Sequence, residues 1–548
     1  MATLSLRTDA HLLIESDRPD AQIEQAMASE STAAEKLHLV GDQSFDKREP
    51  DAEDSSTRTT TSILDLPPEI LGTILDHLLG HMAPVSAIHS STTPQLSKGI
   101  ASVMRHPRRK ALSDIALVSR AWRQPVQERI YRHIKLKGTV SGLLDSMEWF
   151  QKCQHLAEYV RHIEVWIPVW GDRTAVVARP EEDAHMGRNI QAARQFDGGI
   201  ITPDILAGTL AFKLSAFNAT LSEIFHHVGA FFPRARIFTL EGGHCKKSKL
   251  VDTFAAWQRL GTLEALPGIR TFVMKGTWNL MREPSRWRLF EHALPNLQEW
   301  HCAYARPQFE AYATMNDIIS NYALSNIRHL NINLEGFYSK DPTLTSSHAT
   351  HRAPFHLCHE LGKITARLES IVFGGKVCSA FFMTALNVAR RPGITPNLTS
   401  VDLGVKNCCR PRSHSGEDTG DSVVGDSATI TSSSFITAFD NMVTAATFSL
   451  SCFPHLNYLR IRFIDLDSAC PLLNPYFQMA GGKCNGLWNE EILEILSQFR
   501  PGVYYEELDE GIYAQARKGE TALAAIYPRT RPKSIKTSSY RLLTDTRM

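Results

Sequence analysis

From about residue 158 the apolar residues recur in one unit, Φ-x-x-Φ-x-Φ, usually opened two residues earlier by Pro. The copies are Val160/Ile163/Val165, Ala235/Phe238/Leu240, Ile269/Phe272/Met274, Leu297/Trp300/Cys302, Ile327/Leu330/Ile332, Leu368/Ile371/Phe373, Leu398/Val401/Leu403 and Leu456/Leu459/Ile461. Alternation over the last three positions predicts a short strand with one buried face. Helix-like stretches lie between copies, at Thr209–Phe232, Lys249–Leu266, Trp287–Leu294, Phe309–Ala323 and Phe435–Phe448. One strand and one helix per unit is a repeat pattern. No unit can cover its own apolar strand, so the strands are expected to stack into a parallel sheet backed by helices. From the second copy onward the spacings are 34, 28, 30, 41, 30 and 58 residues, after a first gap of 75. The pattern over Leu487–Phe499 predicts a helix that caps the open end of the array.

Ahead of the repeats the period is helical. In SILDLPPEILGTILDHLLGHM, Pro67 and Pro68 stand near the first helical position and Glu69 in the first turn, both helix-start signals. Ile70, Leu71, Ile74, Leu75 and Leu78 follow at helical spacing. Residues 83–110 are rich in Ser, Thr and Pro and read as a loop. A second helical pattern carries Leu112, Ile115, Leu117, Val118 and Trp122, then Val126 and Ile130. It ends in an alternating strand pattern at His133–Lys137.

The expected organisation is therefore a disordered acidic tail over 1–62 and a helical module over 63–137 with an insertion at 83–110. A repeat region over 138–500 follows, with a disordered insertion at 407–434, and then a C-terminal extension over 501–548 ending in a basic, frayed tail. The fold class is α/β.

Composition narrows the function. Of 548 residues, 43% are apolar and 59 Lys+Arg balance 58 Asp+Glu, for a net charge of +1. This excludes a fully disordered chain, a collagen, a disulfide scaffold and a globally basic nucleic-acid binder. The ten Cys include no C-x-x-C pair, and reduced thiols fit a cytoplasmic or nuclear setting. No run of about 18 apolar residues predicts a membrane span.

The charge is an average over opposed segments. Residues 1–62 carry thirteen acids and six bases. Arg105–Lys137 carries ten bases against Asp114 and Glu128, and 528–548 six bases against one acid. The basic stretch reads as a solvated helix face, a steering patch for an acidic partner, or, through RHPRRK, a nuclear import signal.

Two resemblances follow from these residues. LPPEILGTIL, then LSDIALVSRAWRQPV, then ERIYRHIKL resembles an F-box, with an unusually long connection between first and second helices. The resemblance implies docking on a Skp-family adaptor, and through it on a cullin–RING ubiquitin ligase. It implies partner contacts from Leu66, Pro67, Ile70, Leu71, Ile74, Leu75, Leu117, Val118 and Trp122, some of which pack internally. The repeats resemble degenerate leucine-rich repeats: L-x-x-L-x-L is matched, but the following Asn or Cys is absent and the spacing is long. Together these resemble fungal F-box proteins, with an irregular solenoid that holds the target.

Candidate chemistry is sparse. GGHCKKSK at Gly242–Lys249 has Lys246 where a phosphate loop needs Gly. His356 and His359-Glu360 suggest half of a zinc site, but Lys363 stands where H-E-x-x-H needs its second His. His226 and His227 are adjacent and diverge on a helix. Trp166, Trp170, Trp278, Tyr304 and Tyr338 follow the predicted strands and either bind a target or cover the core edge. The expected function is a non-catalytic substrate-recognition adaptor, with no cofactor, metal, nucleic acid or membrane partner. The alternatives are a repeat scaffold without a ligase connection, and an enzyme.

Overall fold

The computed structural model describes residues 66–79, 109–118, 120–167, 219–242, 263–275, 287–303, 309–321, 326–334, 356–406, 429–465, 468, 470–516 and 523–544. The chain divides into two units, Met1–Leu78 and Leu79–Met548.

The first unit contributes helix α1 (Pro68–Leu79). The Pro67 carbonyl accepts the Ile70 and Leu71 N–H groups at 3.0 and 3.2 Å, closing the first turn. Glu69 in that turn and His77 in the last suit the helix dipole.

The second unit opens with α2 (Arg109–Val118) and α3 (Arg120–Tyr131), which pack on each other. Leu112 and Val126 are fully buried and Trp122 nearly so. A mostly parallel sheet of thirteen strands follows. Its first nine strands are β1 (His133–Lys137), β2 (His162–Ile167), β3 (Ile237–Gly242), β4 (Thr271–Lys275), β5 (Glu299–Ala303), β6 (His329–Asn333), β7 (Ser370–Gly375), β8 (Ser400–Val405) and β9 (Tyr458–Phe463). Each pairs in parallel with the next.

All eight copies of the repeat end on β2–β9, and their apolar positions are in register. Ile163, Phe238, Phe272, Trp300, Leu330, Ile371, Val401 and Leu459 form one row across the sheet. Val165, Leu240, Met274, Cys302, Ile332, Phe373, Leu403 and Ile461 form the next. Ile134 and Leu136 on β1 extend both rows. The sheet thus begins inside the segment assigned by sequence to the helical module. Both rows are buried in a single core, and each large side chain contributes roughly 1.5–3 kcal/mol by leaving water.

Helices fill the connections and join the same core: α4 (Val140–Lys152), α5 (Gln154–Ala157), α6 (Leu221–Phe231), α7 (Trp287–Ala293), α8 (Phe309–Asn321), α9 (Leu357–Thr365), α10 (Ala380–Ala389) and α11 (Ser433–Ser449). A capping box between Thr220 and Glu223 fixes the start of α6. Helices were expected over Trp287–Leu294, Phe309–Ala323 and Phe435–Phe448, and α7, α8 and α11 lie there. Lys249–Leu266 is described only from Leu263, and no helix occurs in that part.

At the far end the strand direction reverses. Strand β10 (Tyr476–Ala480) is antiparallel to β9, and β11 (Lys483–Trp488) is antiparallel to β10. Gly481 and Gly482 form their two-residue turn, both at positive φ, as such a hairpin requires. The other edge of β11 is shared by two short strands. β12 (Tyr504–Tyr505) pairs with its first half and β15 (Ser534–Lys536) with its second. Before β15, β13 (Tyr513–Ala516) and β14 (Leu523–Ile526) form a separate two-stranded sheet.

The expected cap helix is shorter than its sequence pattern. Leu487 and Trp488 belong to β11, and α12 (Glu490–Phe499) starts after the cap residue Asn489. The basic tail is ordered through α13 (Arg541–Thr544), with Tyr540 and Leu543 in the core. Asp440 on α11 ties this end together by accepting from Asn489 Nδ2 at 2.9 Å and Thr537 Oγ1 at 2.9 Å. Among the described residues, no helix is long and apolar enough to cross a membrane.

One core histidine makes this fold sensitive to acid. His227 on α6 meets Ser146 Oγ of α4 at 3.1 Å, while its neighbour His226 turns outward to Glu264 at 2.7 Å. Burial, then the charge of His226, lowers His227 to about 4. The unfolded chain therefore takes up this proton first, and stability is lost as pH falls from about 6.5 towards 4. The loss from this group is on the order of 3 kcal/mol. In urea unfolding, His227→Gln should lose less stability than the wild type between pH 7 and pH 4.5. Equal losses would remove His227 as the cause.

Candidate functional site

Strand residues alternate, so those between the buried rows occupy the opposite face of the sheet. This face is mostly polar, with Ile237, Val273 and Val372 among its side chains, and several of its polar groups are held by cross-strand pairs. At the β1 end, His133 Nε2 lies 3.2 Å from Glu164 Oε2. Lys135 Nζ bridges Glu164 at 3.2 Å and Glu241 at 3.1 Å. His162 Nε2 meets Thr239 Oγ1 at 2.8 Å, and the His133 and His162 rings are 4.6 Å apart.

These groups shift one another. Burial alone would raise the Glu164 carboxyl. Hydrogen bonds from His133 and Glu241 and the charges of Lys275 and Lys135 outweigh it and hold Glu164 well below the usual carboxylate range. Glu241 is pushed up, first by burial and then by its hydrogen bond with Glu164. Burial and the neighbouring His133 push His162 far down, so it stays neutral. His133, His162 and Glu164 converge as metal ligands do, with their donor atoms within 4.8 Å of one another. The Lys135 ammonium bridges Glu164 to Glu241, so the carboxylate of this cluster already has a cationic partner.

Thr271 Oγ1 donates to Glu299 Oε2 at 2.8 Å in the middle of the sheet, and His301 contacts the other oxygen of Glu299. His329 Nδ1 lies 2.9 Å from Ser370 Oγ. Towards the other end, the fully buried Asp402 takes a two-pronged contact from Arg460, with Nε at 3.0 Å. Arg462 Nε stands 3.8 Å away, and Arg460 lies over the Tyr458 ring.

A second feature borders the strands. The residue before each strand gives its carbonyl to two N–H groups of the next unit. Arg132 O accepts from Arg161 and His162, Arg161 O from Arg236 and Ile237, and Arg236 O from Arg270 and Thr271. The series continues through Gln298, Arg328, Glu369 and Thr399. Five of these residues, Arg132, Arg161, Arg236, Arg270 and Arg328, are arginines, so the backbone ladder sets their side chains in one row. Neighbouring strands are about 4.8 Å apart. Partial burial, then the charge of Arg234, lowers the Arg161 guanidinium, with Arg236 acting in the same direction. Glu158 partners Arg234 at 3.4 Å and Glu369 partners Arg328 at 3.0 Å. Arg236 and Arg270 have no side-chain partner among the described residues. With Gln298 and Arg328 they line a recess of about 480 Å³. Such a row of forked donors suits carboxylates and other oxyanions.

The residues implied by the F-box resemblance divide by exposure. On α1 and just before it, Leu71 and Leu75 are buried, Leu66 and Ile74 half-buried, and Pro67 and Ile70 exposed. On α2, Leu117 and Val118 are 70% and 75% exposed, whereas Trp122 on α3 is buried. Of the aromatic residues noted after the strands, Trp166 lies in β2 and is half-buried. Trp170, Trp278, Tyr304 and Tyr338 lie outside the described residues, as do 243–249 of the GGHCKKSK segment.

Sequence reasoning missed both the polar face and the arginine row. The second was legible as R one residue after the first Φ in VRHIEV, ARIFTL, IRTFVM and IRHLNI. No family model, no curated protein and no solved structure matches the chain.

The Asp402–Arg460 contact is a buried ion pair of the polar face. Breaking a buried pair strands the remaining charge, at a cost of about 3 kcal/mol or more. Asp402→Asn keeps the shape and should lower unfolding stability by that amount. A loss under about 1 kcal/mol, the range of exposed pairs, would show that solvent already screens Arg460.

Proposed function

We propose that the chain is a non-catalytic substrate-recognition adaptor of a cullin–RING ubiquitin ligase. Its N-terminal helices act as an F-box that docks on a Skp-family adaptor. Its sheet acts as an irregular leucine-rich-repeat-like solenoid that holds the target. The observation that carries the docking half is the exposure of Leu117 and Val118, two adjacent apolar side chains at the end of α2. Val118 opens the V-S-R-x-W element and Leu117 directly precedes it, and Ile70 of the LPPEIL element is exposed on α1 as well. Exposed apolar side chains at these motif positions suit a partner's groove.

The solenoid half is supported by one strand per unit and by parallel pairing of sequence neighbours from β1 to β9. The target side is assigned to the polar face and to the arginine row at the strand starts, which favour a partner with acidic side chains. The mechanism is tethering. Holding the target beside a ligase-bound conjugating enzyme raises the effective concentration of the target's lysines. The second reading, a repeat scaffold without a ligase connection, keeps the target surface and lacks the adaptor.

Co-purification with a Skp-family adaptor tests the proposal. The wild-type chain should bind, and Leu117→Glu/Val118→Glu should weaken binding at least tenfold without changing the unfolding midpoint. Leu66→Ala/Pro67→Ala should weaken it too. A wild-type chain that fails to bind where a known F-box protein succeeds leaves the scaffold reading.

A further inference from the structure

The half zinc motif that fails as H-E-x-x-H is completed in space by a different residue. His356, Cys358 and Cys378 place one nitrogen and two sulfurs within 4.8 Å of one another. His356 Nε2 lies 3.2 Å from Cys378 Sγ. A tetrahedral zinc ion with bonds of about 2.0 Å to nitrogen and 2.3 Å to sulfur sets its ligand atoms about 3.5 Å apart. The His356–Cys378 separation is thus close to that of two ligands on one ion, with the Cys358 sulfur near enough to join them.

The two thiols come from the starts of two successive helices. Cys358 is the second residue of α9, after its cap residue His356. Cys378 immediately precedes Ser379, the cap residue of α10. Two helix N-termini thus meet at the cluster. The His356 side chain makes no capping hydrogen bond, so its role at the helix start does not compete with ligation. Cys358 is fully buried, whereas Cys378 and His356 are half-buried, which leaves an approach for an ion. Neighbouring His359 is directed to Thr384 Oγ1, 2.7 Å from its Nδ1.

We propose that His356, Cys358 and Cys378 form a zinc site, with water in the fourth position. On binding, each thiol releases its proton to solvent and both sulfurs ligate as thiolates. The imidazole binds in its neutral form, so two negative charges balance Zn²⁺ and no net charge is added to the half-buried site. Thiolate and imidazole together favour zinc over the hard cations calcium and magnesium. The ligands come from the start of α9 and from the connection between β7 and α10. The ion therefore ties together the two ends of one repeat unit, and metal affinity becomes folding stability.

The test uses the full-length chain under reducing conditions, titrated with Co²⁺ and then Zn²⁺. Cobalt should give the intense visible bands of a tetrahedral ion and a thiolate charge-transfer band, saturating at one ion per chain. Zinc should displace it and raise the unfolding temperature. Cys378→Ser and His356→Ala change half-buried positions and should retain the fold, yet each should weaken metal binding at least tenfold. Cys302→Ser, at a distant buried thiol, should leave the spectrum unchanged. A wild-type chain with no tetrahedral cobalt spectrum overturns the site. So does a spectrum that survives in Cys378→Ser.

Discussion

The second unit depends on one constraint, the register between successive parallel strands. Each of the first nine strands buries two apolar side chains on one face and presents mostly polar ones on the other. A slip of one residue would exchange the faces, setting Ile163 or Phe238 on the polar side and Glu164 or Thr239 in the core. The shared carbonyls from Arg132 to Thr399 hold the phase by fixing where each strand begins against its predecessor. The buried rows, the cross-strand pairs and the row of arginines are three results of the same alignment.

That alignment also explains how a charged face is tolerated. Glu164 and Asp402 are almost entirely removed from water, a costly state for an isolated carboxylate. Registration brings a compensating group from the strand next door: Lys135 stands opposite Glu164, Arg460 opposite Asp402, and Thr271 opposite Glu299. The charges come as pairs because their strands do. These pairs therefore say more about which strands must be neighbours than about net stability, since buried ion pairs repay little beyond their own desolvation.

What could be read from the sequence follows the same division. The eight copies of Φ-x-x-Φ-x-Φ were legible because a strand with one buried face has a period that a single segment displays. The ninth, Tyr131/Ile134/Leu136, was read as a lone strand because it follows directly on a helical pattern. The closing strands were missed for a different reason. β12 and β15 are two and three residues long, too short for any period, and each depends on the edge of β11. The Gly481-Gly482 turn was a visible hairpin signal that went unused. His356 and His359 were noticed through a motif that places two ligands on one helix. Cys378, 22 residues from His356 in sequence, reaches it only through the strand and turn between them.

The carbonyl ladder carries one further consequence. It couples each strand to its neighbour through the few residues at the strand's start and asks nothing of the connection between them. Intervals of 28 and of 75 residues enter the same register, and loop-closure entropy grows only slowly with length. Length and phase are thus decoupled in this chain. Connections can lengthen, shorten or change composition while the strands stay aligned, so the variable part of the molecule can be rebuilt without refitting its core.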